Sequence, residues 1–165
     1  MKFLNKKQKS FSLIGVMFAA QIMAVAILAF VSATTRMIIN SRLDKNKIIA
    51  TGLAQEGIEI LRNIRDNNFA AGAIDWKNGL NCGGGGCQVE YDNTSLVAFL
   101  APNTVKYDDT NFYSTHSTGD TKFSRTVGLF DGGDFMQIGC HVHWTDFGQN
   151  YLVALDTEIW NWQKP

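Results

Sequence analysis

Residues 11–33 read FSLIGVMFAAQIMAVAILAFVSA, and only Ser12, Gln21 and Ser32 in that run have polar side chains. The run lies inside a charge-free interval of 26 residues between Lys9 and Arg36. A bilayer span needs roughly 20 apolar residues at about 1.5 Å rise each, whereas a removable secretory core is usually about 7–15 residues long. The length therefore predicts a transmembrane helix. A competing reading treats Val31-Ser32-Ala33 as a signal-peptidase site with Thr34 as the mature start. That cut would fall in the middle of one continuous helical pattern.

Working outward, residues 1–10 hold Lys2, Lys6, Lys7 and Lys9 and no acid. The positive-inside tendency keeps that end in the cytoplasm and predicts that residues 36–165 lie across the membrane. On the other side, from Arg36 to about Asn67, Ile49, Leu53, Gly57, Ile60 and Ile64 recur at three- and four-residue steps. Asp44, Lys45, Lys47, Gln55, Glu59, Arg62 and Arg65 fall mostly off that stripe. With prolines only at 102 and 165, nothing interrupts a helix from Phe11 to Asn67, which at about 1.5 Å per residue is roughly 85 Å long. Its first half is apolar all round, suiting lipid or a helical bundle. Its second half is apolar on one stripe, suiting a sheet.

The whole chain of 165 residues is enough for one ordinary domain and short for two, which argues against a separate catalytic domain. Its 45% hydrophobic content excludes a disordered chain, and 15 basic against 15 acidic side chains exclude a globally basic nucleic-acid binder. That neutrality hides a sorting along the chain. Residues 34–165 carry 11 basic and all 15 acidic groups, so unaided DNA binding by the head is not expected.

The order KKQKS then FSLIGVMFAAQIMAVAIL resembles the class III signal of type IV prepilins and type II secretion pseudopilins. In that family a prepilin peptidase removes a short basic leader before a Phe, the new N-terminus is methylated, and the exposed helix packs into a filament core. The resemblance implies cleavage between Ser10 and Phe11 and N-methylation of Phe11. LAQEGIEILRNIRDNNF (Leu53–Phe69) and FSRTVGLF (Phe123–Phe130) are similar to minor pilins of the PilV type, and the matched stretches cover about half the chain.

Two positions depart from the family. Ser10 stands where Gly is usual before the cut, and Gly15 stands where the fifth mature residue is usually Glu. That carboxylate is thought to pair with a neighbouring subunit's N-terminal ammonium, and an unpaired charge in an apolar core costs several kcal/mol. Gly15 cannot supply the pairing. The departure points either to a subunit at the filament tip or to drift in a sparsely inserted one, and both describe a minor subunit. Gln21 has two readings, a hydrogen bond to a neighbouring helix or a polar residue tolerated in place.

After Phe69 the pattern changes. Residues 70–86 end in Cys82-Gly83-Gly84-Gly85-Gly86-Cys87 and read as loop, since four consecutive glycines hold neither helix nor strand cheaply. Gln88–Tyr91 is a short strand candidate, Ser95–Leu100 is ambiguous, and residues 103–121 read as exposed loop. Met136, Ile138, Cys140, Val142 and Trp144 alternate with Gln137, Gly139, His141 and His143, one apolar face and one polar. A turn over Asp146–Gln149 and a return strand Tyr151–Trp160, with Phe123–Phe130 in front, predict a three-stranded antiparallel meander. A sheet with one apolar face needs a cover, and the striped half-helix supplies it. Trp144, Trp160 and Trp162 are expected to close the edges of that core, with a carbohydrate or peptide platform as their alternative role.

Three cysteines in an exported domain predict one disulfide and one free thiol. Cys82 with Cys87 closes the glycine loop, while Cys140 with either of them staples the loop to the sheet; spacing leaves both open. Zinc bound by Cys82, Cys87, Cys140, His141 and His143 is disfavoured because Cys140 and His141 face opposite sides of a strand. No nucleophile elbow, HExxH, Walker loop or GxGxxG occurs, and the pairs Glu56/Glu59 and Asp108/Asp109 read as solvated faces, so no enzyme activity, cofactor or metal is expected.

The expected fold is thus α+β and pilin-like, a long N-terminal helix packed on a small antiparallel sheet. Its parts are a leader at 1–10, a transmembrane or filament-core helix at 11–35, an amphipathic continuation at 36–69, and an exported head at 70–165. The resemblance implies a minor or tip subunit of a type IV pilus or pseudopilus. Its implied partners are other pilin subunits, the prepilin peptidase and the inner-membrane pilus or secretion machinery, and its implied place is the inner membrane and then the filament. The alternative is a single-pass anchored module that never polymerises and binds a ligand outside the cytoplasm.

Overall fold

In the computed structural model, the described residues are 13–83, 86–90, 95–98, 105–107, 113–114 and 121–162. One helix, α1, runs from Leu13 to Ala70, 58 residues without a break. The chain divides into two compact units, the first ending at Leu43 and the second beginning at Asp44.

Within the first unit the side chains of α1 are almost all exposed, Leu13, Phe18, Ile22 and Phe30 among them. The hydroxyls of Ser32, Thr34 and Thr35 are satisfied by the helix itself. Ser32 Oγ donates to the Leu28 carbonyl at 2.9 Å, and Thr35 Oγ1 donates to that of Val31 at 2.9 Å. Such back-bonding lets a polar side chain sit in an apolar helix without an outside partner.

In the second unit α1 buries Ala50, Leu53, Ala54, Gly57, Ile58, Ile60, Leu61 and Ile64. The stripe read from the sequence is therefore the packed face. The helix ends in a Schellman motif, in which Gly72 at φ 65° donates to the Phe69 carbonyl at 3.1 Å and Ala73 donates to that of Asn68 at 2.9 Å. Asn68 Nδ2 in turn donates to the carbonyls of Trp76 and Asn78 at 3.0 and 2.7 Å, folding the next turn back under the helix end. That places Trp76 and Leu80 in the core.

The main sheet has five antiparallel strands in the order β2-β1-β5-β6-β7, from β1 (Cys87–Gln88), β2 (Val97–Ala98), β5 (Ser124–Asp131), β6 (Phe135–Asp146) and β7 (Gln149–Trp160). The meander β5-β6-β7 is as expected, and the two short strands widen it. Part of 103–121, read as loop, forms a separate ladder of β3 (Lys106–Tyr107) and β4 (Tyr113–Ser114). On β6 the even positions Met136 to Trp144 are buried, and Gln137 and His143 are exposed. β6 and β7 join through Phe147 and Gly148, at φ 50° and 72°, with Asp146 paired to Gln149. Positive φ at both central residues is the I′ geometry that matches the twist of a two-residue hairpin.

Two of the three tryptophan expectations need correction. Trp144 is buried against Phe123 and Tyr151, but Trp160 and Trp162 are 52% and 61% exposed. The strand period sets this for Trp160: inward positions on β7 are odd, so residue 160 points out with its ring 5.1 Å from Phe135. Trp162 lies past the last strand, edge-on to Phe69 at 4.9 Å. Trp76, unremarked in the sequence, takes the core place instead.

Candidate functional site

The first candidate is the apolar part of α1. By length and composition the helix Leu13–Ala70 is long and apolar enough to cross a membrane, and Leu13, Ile14, Phe18 and Ile22 near its start are each exposed by well over half. A soluble helix with that composition would be covered; this one has no cover within its own unit. Gly15 and Gln21 lie on it, both exposed, and a Cβ on Gly15 would meet no atom within 4 Å. Ser10 and Phe11, the expected processing and methylation positions, lie outside the described residues.

The second candidate is the cysteine loop. Cys82 and Cys87 form a disulfide with Cα atoms 5.8 Å apart, which selects local pairing over a staple to Cys140. The closed ring hangs from the core through Cys87, which is buried on β1 opposite Val127. A recess of about 520 Å³ lies beside it, lined among others by Asp75, Asn81, Cys82, Leu129 and Met136. Lys77 and Asp131 also line it; Lys77 Nζ donates to Asp131 Oδ2 at 2.7 Å, and this hydrogen bond, with a second from Gly133 N–H, holds the Asp131 carboxyl below the usual carboxylate range.

Cys140 is free and buried. Burial pushes its thiol up to about 11, against a smaller opposite pull from Arg125. It therefore behaves as a small apolar side chain at neutral pH. The five zinc-reading residues do not converge, because two are tied in the disulfide, one faces inward and His141 and His143 point outward. Among the described residues no group of three metal-ligating side chains comes together.

Beneath the sheet lies a feature the sequence reading missed. Arg125 on β5 points inward with its side chain 2% exposed. Its Nη1 donates to the Leu53 carbonyl of α1 at 3.0 Å and lies 3.2 Å from Glu56 Oε2, and its Nη2 donates to the Val89 carbonyl at 2.7 Å. One guanidinium thus ties helix, β5 and the segment after β1. The only sequence signal was its odd position in FSRTVGLF, between the inward Phe123 and Val127. Glu56, which reads as a solvated carboxylate in the sequence, is its partner, about one-third exposed. Glu59 pairs instead with Arg62 on the helix surface at 2.6 Å, and Asp108 and Asp109 lie outside the described residues.

The third candidate is the outward face of β5-β6-β7. Gly128 pairs with Gly139, and Gly139 with Asp156, so two bare backbone positions floor a shallow groove of about 540 Å³. Asp156 occupies the space where a Gly139 side chain would stand: a Cβ there would lie 2.8 Å from its Oδ1. From that position Oδ1 is 4.0 Å from His141 Nε2. One strand pair further, Gln137 Nε2 donates to Glu158 Oε1 at 3.1 Å. Comparison with known proteins finds no match: no family model, no curated protein and no solved structure resembles the chain at a level that counts.

Proposed function

We propose that the chain is a minor structural subunit of a type IV pilus or type II secretion pseudopilus, made as a prepilin and cut between Ser10 and Phe11. The single observation that carries this reading is the unbroken α1, which changes from apolar on all sides to a one-sided stripe buried under a sheet. A membrane anchor alone does not require the anchoring helix to continue as the central helix of the folded head. A subunit that leaves the bilayer and packs laterally benefits from that continuity, because one continuous helix serves first as anchor and then as filament core.

In this role the apolar residues 13–33 meet lipid before assembly and neighbouring helices afterwards, while the sheet and disulfide loop face outward. Export fits the Cys82–Cys87 bond, which persists in oxidising surroundings. Gly15 makes the subunit a poor acceptor for another subunit's N-terminal charge, which suits a rare or terminal position.

The test is N-terminal sequencing and intact mass of protein from cells. A start at methylated Phe11 supports the proposal. A start at Met1 supports the non-polymerising anchored module, and a start at Thr34 supports signal-peptide removal.

A further inference from the structure

The two edges of the main sheet differ sharply. One is β2, two residues long. The other is β7, twelve residues long and, among the described residues, paired only with β6. An edge strand presents a row of unpaired N–H and C=O groups, and natural sheets usually guard such an edge with proline, lysine, a bulge or brevity. β7 reads QNYLVALDTEIW, with no proline, lysine or arginine, and its register with β6 runs unbroken from Asp146↔Gln149 to Phe135↔Trp160.

Its outward side chains carry a pattern of their own. Leu152 is 54% exposed, Asp156 has a side chain 79% exposed, and Glu158 and Trp160 follow at the same two-residue step. The outward positions of β5, β6 and β7 contain no lysine or arginine, only His141 and His143. Residues 44–165 as a whole hold all 15 acidic side chains but nine of the 15 basic ones.

We propose that β7 is a strand-addition site for an extended basic segment of another protein, with lysine or arginine at alternate positions opposite Asp156 and Glu158 and an apolar residue against Leu152. Main-chain hydrogen bonds to the open edge supply affinity, and the outward side chains supply selection. Opposite charges directly across a strand pair are favourable and like charges unfavourable. A second copy of β7 is the poorer occupant, because antiparallel self-pairing gathers four carboxylates on one face that offers no lysine or arginine. This proposal stands whether or not the subunit polymerises.

The experiment uses the full chain in detergent with a capped octapeptide of valine carrying lysine at its second and fourth positions, so that antiparallel pairing sets the lysines opposite Glu158 and Asp156 and the last valine opposite Leu152, followed by fluorescence anisotropy and hydrogen–deuterium exchange. Binding is expected, with slower exchange along β7 and little change along β6. The same peptide N-methylated at every residue keeps its charge but loses the strand donors of both its edges and is expected not to bind; a peptide with glutamate in place of lysine is also expected not to bind. The surface double variant Asp156→Asn/Glu158→Gln is expected to bind about fivefold more weakly, the scale of two cross-strand charge pairs. No binding, binding without protection of β7, equal binding of the methylated peptide, or a β7-mediated dimer of the chain alone each overturns the proposal.

Discussion

A Cβ placed on Gly57 of α1 would lie 2.8 Å from the Sγ of Cys140 on β6, closer than such atoms pack. Helix and sheet approach here as nearly as a bare Cα permits. Gly57→Ala gains about 1 kcal/mol in helix propensity but forces a fully buried thiol to move, and overpacking of this kind costs about 1–3 kcal/mol. Arg125 Cδ, at 3.4 Å from the same point, narrows the escape. Urea unfolding of the full chain in detergent is expected to show a net loss of about 1 kcal/mol. Cys140→Ala removes the obstructing sulfur, so the double variant is expected to be more stable than the sum of the singles predicts. Strict additivity would refute the steric account.

Arg125 is the cation whose loss the core is least able to absorb. Arg125→Ala leaves the buried Val89 carbonyl without its 2.7 Å donor and opens a cavity, and a loss of about 3 kcal/mol is expected. Arg125→Met fills the volume, and Glu56, about one-third exposed, turns to water, so this variant is expected to lose less. Arg125→Lys keeps the charge but cannot reach two carbonyls with a planar fork, and it should fall between them. Denaturant midpoints of the three variants test the order.

The Cys140 thiol gives stability a pH dependence of definite sign. In the unfolded chain a thiol ionises near about 8.5, whereas burial holds this one protonated to about 11. Between those values the unfolded state loses its proton first, so stability falls as pH rises through the window and the effect levels off above it. Each pH unit of difference corresponds to about 1.4 kcal/mol, giving a loss of about 2 kcal/mol after allowance for relaxation. The measurement compares the pH dependence of unfolding for the parent chain and Cys140→Ala from about pH 8 to about pH 11. The parent curve is expected to fall more steeply; parallel curves would refute the assignment.

The β6–β7 turn places an ordinary side chain in the left-handed region. Phe147 sits at φ 50°, where asparagine and glycine are favoured, and its ring is 56% exposed, so little burial is at stake. Phe147→Asn is expected to raise stability by about 0.5 kcal/mol, and Gly148→Ala, at φ 72°, to lower it by about 1 kcal/mol. Thermal unfolding of both variants reads these shifts in opposite directions.

The parts of this fold that follow a period were legible in the sequence. The three-and-four spacing of Leu53, Gly57, Ile60 and Ile64 located the packed helix face, and strict alternation from Met136 to Trp144 located the inward side of β6. For Trp160 aromatic character points inward while its even position on β7 points outward, and the strand period decides. The two-residue strands β1 and β2 are too short to show any period; β1 is placed by its pairing with β5, and β2 by its pairing with β1. Arg125 was hidden for a different reason: a polar side chain breaks the apolar pattern whether it is solvated or satisfied inside, and only the positions of the Leu53 and Val89 carbonyls distinguish the two. The local disulfide was one of two open pairings, since the spacing of cysteines does not fix which Cα atoms approach.

Gly15 offers the sharpest test of why this subunit would be scarce or terminal. The position is exposed on α1 and a Cβ there meets no atom within 4 Å, so Glu is accommodated without steric cost to the helix. On the proposed filament reading, Gly15→Glu adds a carboxylate able to partner a neighbouring subunit's N-terminal ammonium, and an uncompensated charge in such surroundings costs several kcal/mol. In cells where the parent chain is found in filaments, the variant is expected to enter in greater amount and along their length. Quantitative immunoblotting of sheared filaments measures the amount, and immunogold labelling measures the position. If both stay as in the parent, the missing carboxylate does not govern placement.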